Sequence, residues 1–89
     1  MKYYLAIEFQ ATNGVRSYGT VSTFNKASNL VKFTEKRKSF SSVDLANEFG
    51  NKILSAVQNH GYINIVDETM GMSFTVNADS LNMNVIHYN

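Results

Sequence analysis

The chain has 89 residues, a net charge of +1, 44% apolar residues and 17% charged residues. That length holds one core, because chains divide into domains only beyond roughly 250 residues, so a single domain over 1–89 is expected. Near-balanced charge argues against a strongly acidic nucleic-acid mimic and a strongly basic nucleic-acid coat, and the absence of Cys excludes disulfides, Cys-ligated zinc and thiol catalysis. No apolar run approaches the ~20 residues of a membrane span. The basic-then-apolar start Met1-Lys2-Tyr3-Tyr4-Leu5-Ala6-Ile7 is interrupted by Glu8 and reads as mature structure rather than a leader. A cytoplasmic location without membrane contact is the expectation. Eleven Asn residues, with Ser and Thr, make the polar surface one of neutral amides and hydroxyls.

Residues 2–10 place Tyr3, Leu5, Ile7 and Phe9 on one face and Tyr4, Ala6 and Glu8 on the other, the period of a half-buried strand. Asn13-Gly14 suits a type I′ turn, since both residues tolerate positive φ. Val15–Phe24 is the return strand, which gives a β-hairpin over 2–24. Residues 25–39 are ambiguous. Ala27, Leu30, Val31 and Thr34 fit helical spacing, but the alternation of Val31, Phe33 and Glu35 with Lys32, Thr34 and Lys36 favours a lysine-protected edge strand over 29–38.

A helix is predicted over 42–60. Ser41 is the expected N-cap with Asp44 three residues on, and Phe40 with Leu45 makes a hydrophobic staple. Leu45, Phe49, Ile53, Ala56 and Val57 form the apolar stripe, and Gly61 closes the helix in the left-handed conformation. Strands follow at 62–66, 72–77 and 81–88, separated by turns at 67–71 and 77–80. The order β-β-(β)-α-β-β-β implies an α+β fold, with a mostly antiparallel sheet of four to six strands and one amphipathic helix on one face.

No nucleophile–base pair is visible. His60 fits a helix C-terminus, His87 lies near the chain end, and no G-x-S-x-G turn occurs. His60, His87, Asp67, Glu68 and Asp79 lack metal-ligand spacing, and Asp67-Glu68 reads as a solvated turn. An enzyme is not expected, nor a cofactor or a metal. The strongest anion-binding feature is Ser39–Ser42 at the helix start, already engaged as a cap. Half of the Lys and Arg residues, namely Lys32, Lys36, Arg37 and Lys38, fall within seven positions. With Phe33 and Phe40 beside them they could track phosphates and stack bases, or they are a solvated edge. Tyr4, Tyr18 and Phe24 fall on the outer face of the first hairpin by alternation, and exposed aromatics among neutral residues suit a protein-binding or homodimer surface.

This short, Cys-free, Asn- and Ser-rich domain, starting Met1-Lys2-Tyr3-Tyr4-Leu5-Ala6-Ile7 directly in a strand, resembles at class level the small phage-encoded accessory proteins. Inhibitors of host defence, including the anti-CRISPR proteins, belong to that class. The resemblance rests on no motif and carries over no binding residue. It implies a non-enzymatic inhibitor in the bacterial cytoplasm that blocks a host protein or nucleoprotein complex by contact. Members that mimic DNA tend to be acidic, and this chain is not. The two expectations are therefore a protein-binding inhibitor using Tyr4, Tyr18 and Phe24, and a nucleic-acid-binding module using Lys32, Lys36, Arg37 and Lys38.

Overall fold

A computed structural model describes residues 1–88. The elements run β1 (Lys2–Gln10), β2 (Arg16–Thr20), β3 (Thr23–Asn25), β4 (Leu30–Phe33), α1 (Val43–His60), β5 (Tyr62–Asp67), β6 (Met72–Asn77), a 3₁₀ turn (Ala78–Ser80) and β7 (Leu81–Tyr88). The fold is α+β, as expected. The strands form two sheets rather than one, ordered β2-β1-β7 and β3-β4-β5-β6. All pairings are antiparallel except β4 with β5. One apolar cluster joins the sheets and the helix: Leu5, Ile7 and Phe9 from β1, Val31 and Phe33 from β4, Ile53 and Val57 from α1, Ile63 and Ile65 from β5, and Phe74 and Val76 from β6. Phe9 bridges the two sheets, packing edge-on against Phe74 at 5.1 Å and tilted against Phe33 at 6.3 Å.

The expected return strand over Val15–Phe24 divides between the sheets. Val21 and Ser22 are both buried, at 1% and 7% exposure, so the alternation slips by one residue there. Val21 N–H still donates to Leu5 C=O in the first sheet, whereas Ser22 N–H donates to Lys32 C=O in the second. Ser22 Oγ accepts from Thr34 N–H at 2.9 Å, which satisfies the polar side chain at the crossing point.

The first hairpin does not use a two-residue type I′ turn. Gln10 pairs with Arg16, leaving a five-residue loop. Gly14 has φ +89°, while Asn13 stays outside the left-handed region. Gly14 N–H donates to Ala11 C=O and Ala11 N–H to Val15 C=O. Ala11 is buried, and Thr12 N–H donates to Thr75 C=O on β6, so core packing and a second strand set the loop.

Beyond Asn25, the last residue of β3, the segment to 39 is a strand only over Leu30–Phe33, and β4 lies between β3 and β5 rather than at an edge. The helix begins one residue later than expected. Ser42, not Ser41, is the N-cap, its Oγ accepting from Leu45 N–H at 3.2 Å. Gly61 closes the other end at φ +80°, donating to Val57 C=O. The buried stripe is Ala46, Gly50, Ile53, Ala56 and Val57. Leu45 is 45% exposed, and Phe49 is half-buried against Phe40. The helix has turned its small residues to the sheet, because Gly50 passes so close to Leu5 that an added Cβ would lie 3.3 Å from its Cδ1. Leu45 cannot occupy that line, and Phe40 packs on Phe49 in place of the expected staple.

Candidate functional site

Helix α1 and the second sheet cover one face of β2-β1-β7. The opposite face bears the even-numbered residues of β1, and the antiparallel register carries their neighbours onto it. Tyr4 lies opposite Ile86, Lys2 opposite Tyr88, and Glu8 opposite Tyr18. Tyr18 is 77% exposed and Tyr88 52% exposed, large fractions for rings of that size.

At one end of this face Tyr4 and Tyr88 meet diagonally, with ring centroids 5.6 Å apart and planes tilted by 58°. Arg37, from the loop after β4, lies over both, its guanidinium carbon 5.3 Å from each ring centroid. Its position follows from how the loop is tied down. Where β2 leaves the first sheet at Val21, residues 38–40 take its place. Lys38 N–H donates to Val21 C=O at 3.1 Å, and Tyr3 and Phe40 exchange backbone hydrogen bonds of 2.9 and 2.8 Å. A guanidinium over two aromatic faces gains cation–π attraction at each. The other end, near Tyr18, opens on a shallow hollow of about 510 Å³ that includes Glu8, Arg16, Asp79 and Asn82.

The structure separates the expected aromatic trio. Tyr4 and Tyr18 share the outer face, but Phe24 does not. It lies on β3 in the other sheet, opposite the buried Val31, and packs against the core. The register slip at Val21–Ser22 turns it inward. The basic run also disperses. Lys32 sits on the outer face of the second sheet and pairs with Glu68 at 3.4 Å, both side chains being more than 40% exposed. Lys36, Arg37 and Lys38 are exposed on the loop, but they diverge. Arg37 reaches the tyrosines, whereas Lys38 Nζ lies 5.6 Å from the Phe40 ring centroid and 5.4 Å from that of Phe49 beside the helix. Lys36 forms no ion pair among the described residues.

Three of the ionisable groups considered as metal ligands take structural places. Asp67 is buried rather than solvated, its Oδ1 accepting from Thr69 N–H, Thr69 O–H and Met70 N–H. His87 packs against Tyr3 and His60 against Tyr62. Among the described residues no three His, Asp or Glu side chains are grouped to hold a metal ion, and no helix is long and apolar enough to cross a membrane.

Tyr88 and the joining of Arg37 to Tyr4 were not foreseen from sequence. Tyr88 could have been assigned to a face by the alternation of β7, but which face depends on the pairing of β7 with β1, across almost the whole chain. The chain matches no family model, no curated protein and no solved structure.

Proposed function

We propose that this chain is a non-enzymatic binding protein that docks a partner protein on the outer face of β2-β1-β7, anchored by Tyr18 and by the Tyr4–Arg37–Tyr88 stack. The observation that carries this reading is Arg37 lying over two adjoining tyrosine rings on a sheet face that no other element covers. Tyr and Arg are the side chains over-represented at binding hot spots. A stacked arginine has already lost rotamer freedom, which lowers the ordering cost of association. The dispersal of Lys32, Lys36, Arg37 and Lys38 over different faces argues against a continuous phosphate track, so nucleic acid is the lesser alternative. The inhibitory role against a host nucleoprotein complex, implied by the class-level resemblance, belongs to the same proposal. Occupying the partner's surface would then lower its activity.

The test starts from a partner captured from bacterial lysate. Tyr18→Ala and Arg37→Ala should each weaken its binding by about tenfold or more, the hot-spot scale, with the thermal midpoint nearly unchanged. Binding unaffected by both substitutions would sink this reading. Retention of the wild type on DNA or RNA at low salt, lost when Lys36, Arg37 and Lys38 become Ala, would establish the nucleic-acid alternative instead, because phosphate contacts give the steep salt dependence.

A further inference from the structure

The outer edge of the first sheet is a longer unpaired strand than a stable monomer usually leaves open. β7 pairs with β1 along one side over Leu81–Tyr88 and makes no backbone hydrogen bond along the other among the described residues. Its eight residues, LNMNVIHY, include no Lys, Arg, Asp, Glu, Pro or Gly. Charged side chains and Pro are the residues that ordinarily protect an edge against strand addition. The other three edges differ. β2 has five residues and begins at Arg16, β3 has three, and β6 is tied to the hairpin loop through Thr12 and Thr75.

The core is also unfinished at β7. On β1, Leu5, Ile7 and Phe9 are 2%, 0% and 5% exposed. Their β7 neighbours Val85, Met83 and Leu81, at the same level of the same face, are only half-buried. Beside them a groove of about 280 Å³ runs between β7 and the helix, bordered by Asn47, Asn51 and Leu54. A strand added to β7 would supply the missing hydrogen bonds and lay its own inward side chains over this groove.

We infer that the added strand is β7 of a second copy, paired antiparallel about a two-fold axis. Charge and symmetry together favour that occupant. A strand without Lys, Arg, Asp or Glu meets itself with none of these charges facing its like, and a two-fold axis sets the half-buried Leu81, Met83 and Val85 of one copy beside those of the other. Such an isologous contact closes on itself and produces a dimer rather than a fibre. The product is a continuous six-stranded sheet whose outer face carries two Tyr4–Arg37–Tyr88 stacks. The inference does not depend on the proposed docking function, since a monomer could also dock through one stack.

Sedimentation equilibrium across concentrations up to about 1 mM, which includes weak association, should show the wild type moving from 10.0 kDa to twice that mass. Asn82 and Asn84 are exposed on the outer face of β7, so Asn82→Lys with Asn84→Lys leaves the core alone and sets lysines against lysines across the axis. This double variant should dimerise about tenfold more weakly or worse, with the wild-type circular dichroism spectrum. Mixing it with the Asn82→Glu, Asn84→Glu variant should restore a dimer. A wild type that stays at 10.0 kDa throughout overturns the inference and leaves the edge to a strand of a different protein. A double-lysine variant that dimerises as tightly as the wild type also overturns it, by placing the contact elsewhere.

Discussion

Gly19 sits on β2 where the first sheet meets the Phe33 ring of the second, and an ideal Cβ there would overlap three carbons of that ring. Two effects oppose each other on replacing it. Alanine would gain about 0.5–1 kcal/mol by restricting the unfolded backbone. Forcing an extra carbon into a packed core costs about 1–3 kcal/mol. Phe33 is 4% exposed and wedged beside Phe9, so it has little room to yield. Gly19→Ala should therefore lower the urea midpoint, and a raised midpoint would show that the sheets can move apart at this point. Asn29 is a second residue whose identity the fold demands. It adopts φ +52°, which Asn tolerates better than most residues. Its side-chain Nδ2–H donates to Tyr62 C=O, and its backbone C=O accepts from Asn64 N–H, so one buried residue ties the start of β4 to its parallel neighbour β5.

At the level of the element, the helix start falls to Ser42 rather than to its neighbour Ser41, the cap expected from sequence. Ser42 Oγ accepts from Leu45 N–H, the bond that satisfies one of the free donors of the first turn. Ser42→Ala should destabilise the protein by about 1 kcal/mol. Ser41→Ala should change stability little, and chemical denaturation of the two variants side by side checks the assignment. A loss at position 41 with none at 42 would place the cap one residue earlier. The helix also shows why an apolar stripe does not name its own contact line. Leu45, Phe49, Ile53 and Val57 are spaced correctly, yet the line against the sheet runs through Ala46 and Gly50, where small side chains let the backbones approach.

Over the whole molecule, the two sheets do not have separate cores. Phe9 touches residues of the second sheet, Val21 and Ser22 hydrogen-bond to different sheets, and Ile53 and Val57 belong to the one apolar cluster. Elements that share a core in a domain of this size melt together. Urea transitions followed by far-ultraviolet circular dichroism and by tyrosine fluorescence should therefore coincide. Two separated transitions would mean that the second sheet opens by itself. The same sharing explains how the outer face of β2-β1-β7 is built. The loop carrying Arg37 reaches it only because β2 departs for the other sheet and vacates the strand position beside Tyr3.

Local patterns determined much of this protein. Period-two alternation located β1, β6 and β7, helical spacing with Gly61 bounded α1, and the α+β class followed from their order. These features are legible because each depends on residues within a few positions of one another. Alternation also placed Tyr4 and Tyr18 on one face, since the register of β1 with β2 is set across a short hairpin. Only the tertiary structure decided that the strands divide into two sheets, that β4 lies inside one of them beside β5, and that Phe24 points into the core. For Phe24 the deciding event is a slip of one residue at Val21–Ser22, and a slip of one exchanges every face beyond it. Tyr88 and Arg37 likewise reach Tyr4 through the closing of β7 onto β1 and through a loop anchored at Phe40. Both are contacts between distant parts of the chain, chosen by how the whole core packs, and no local pattern encodes them.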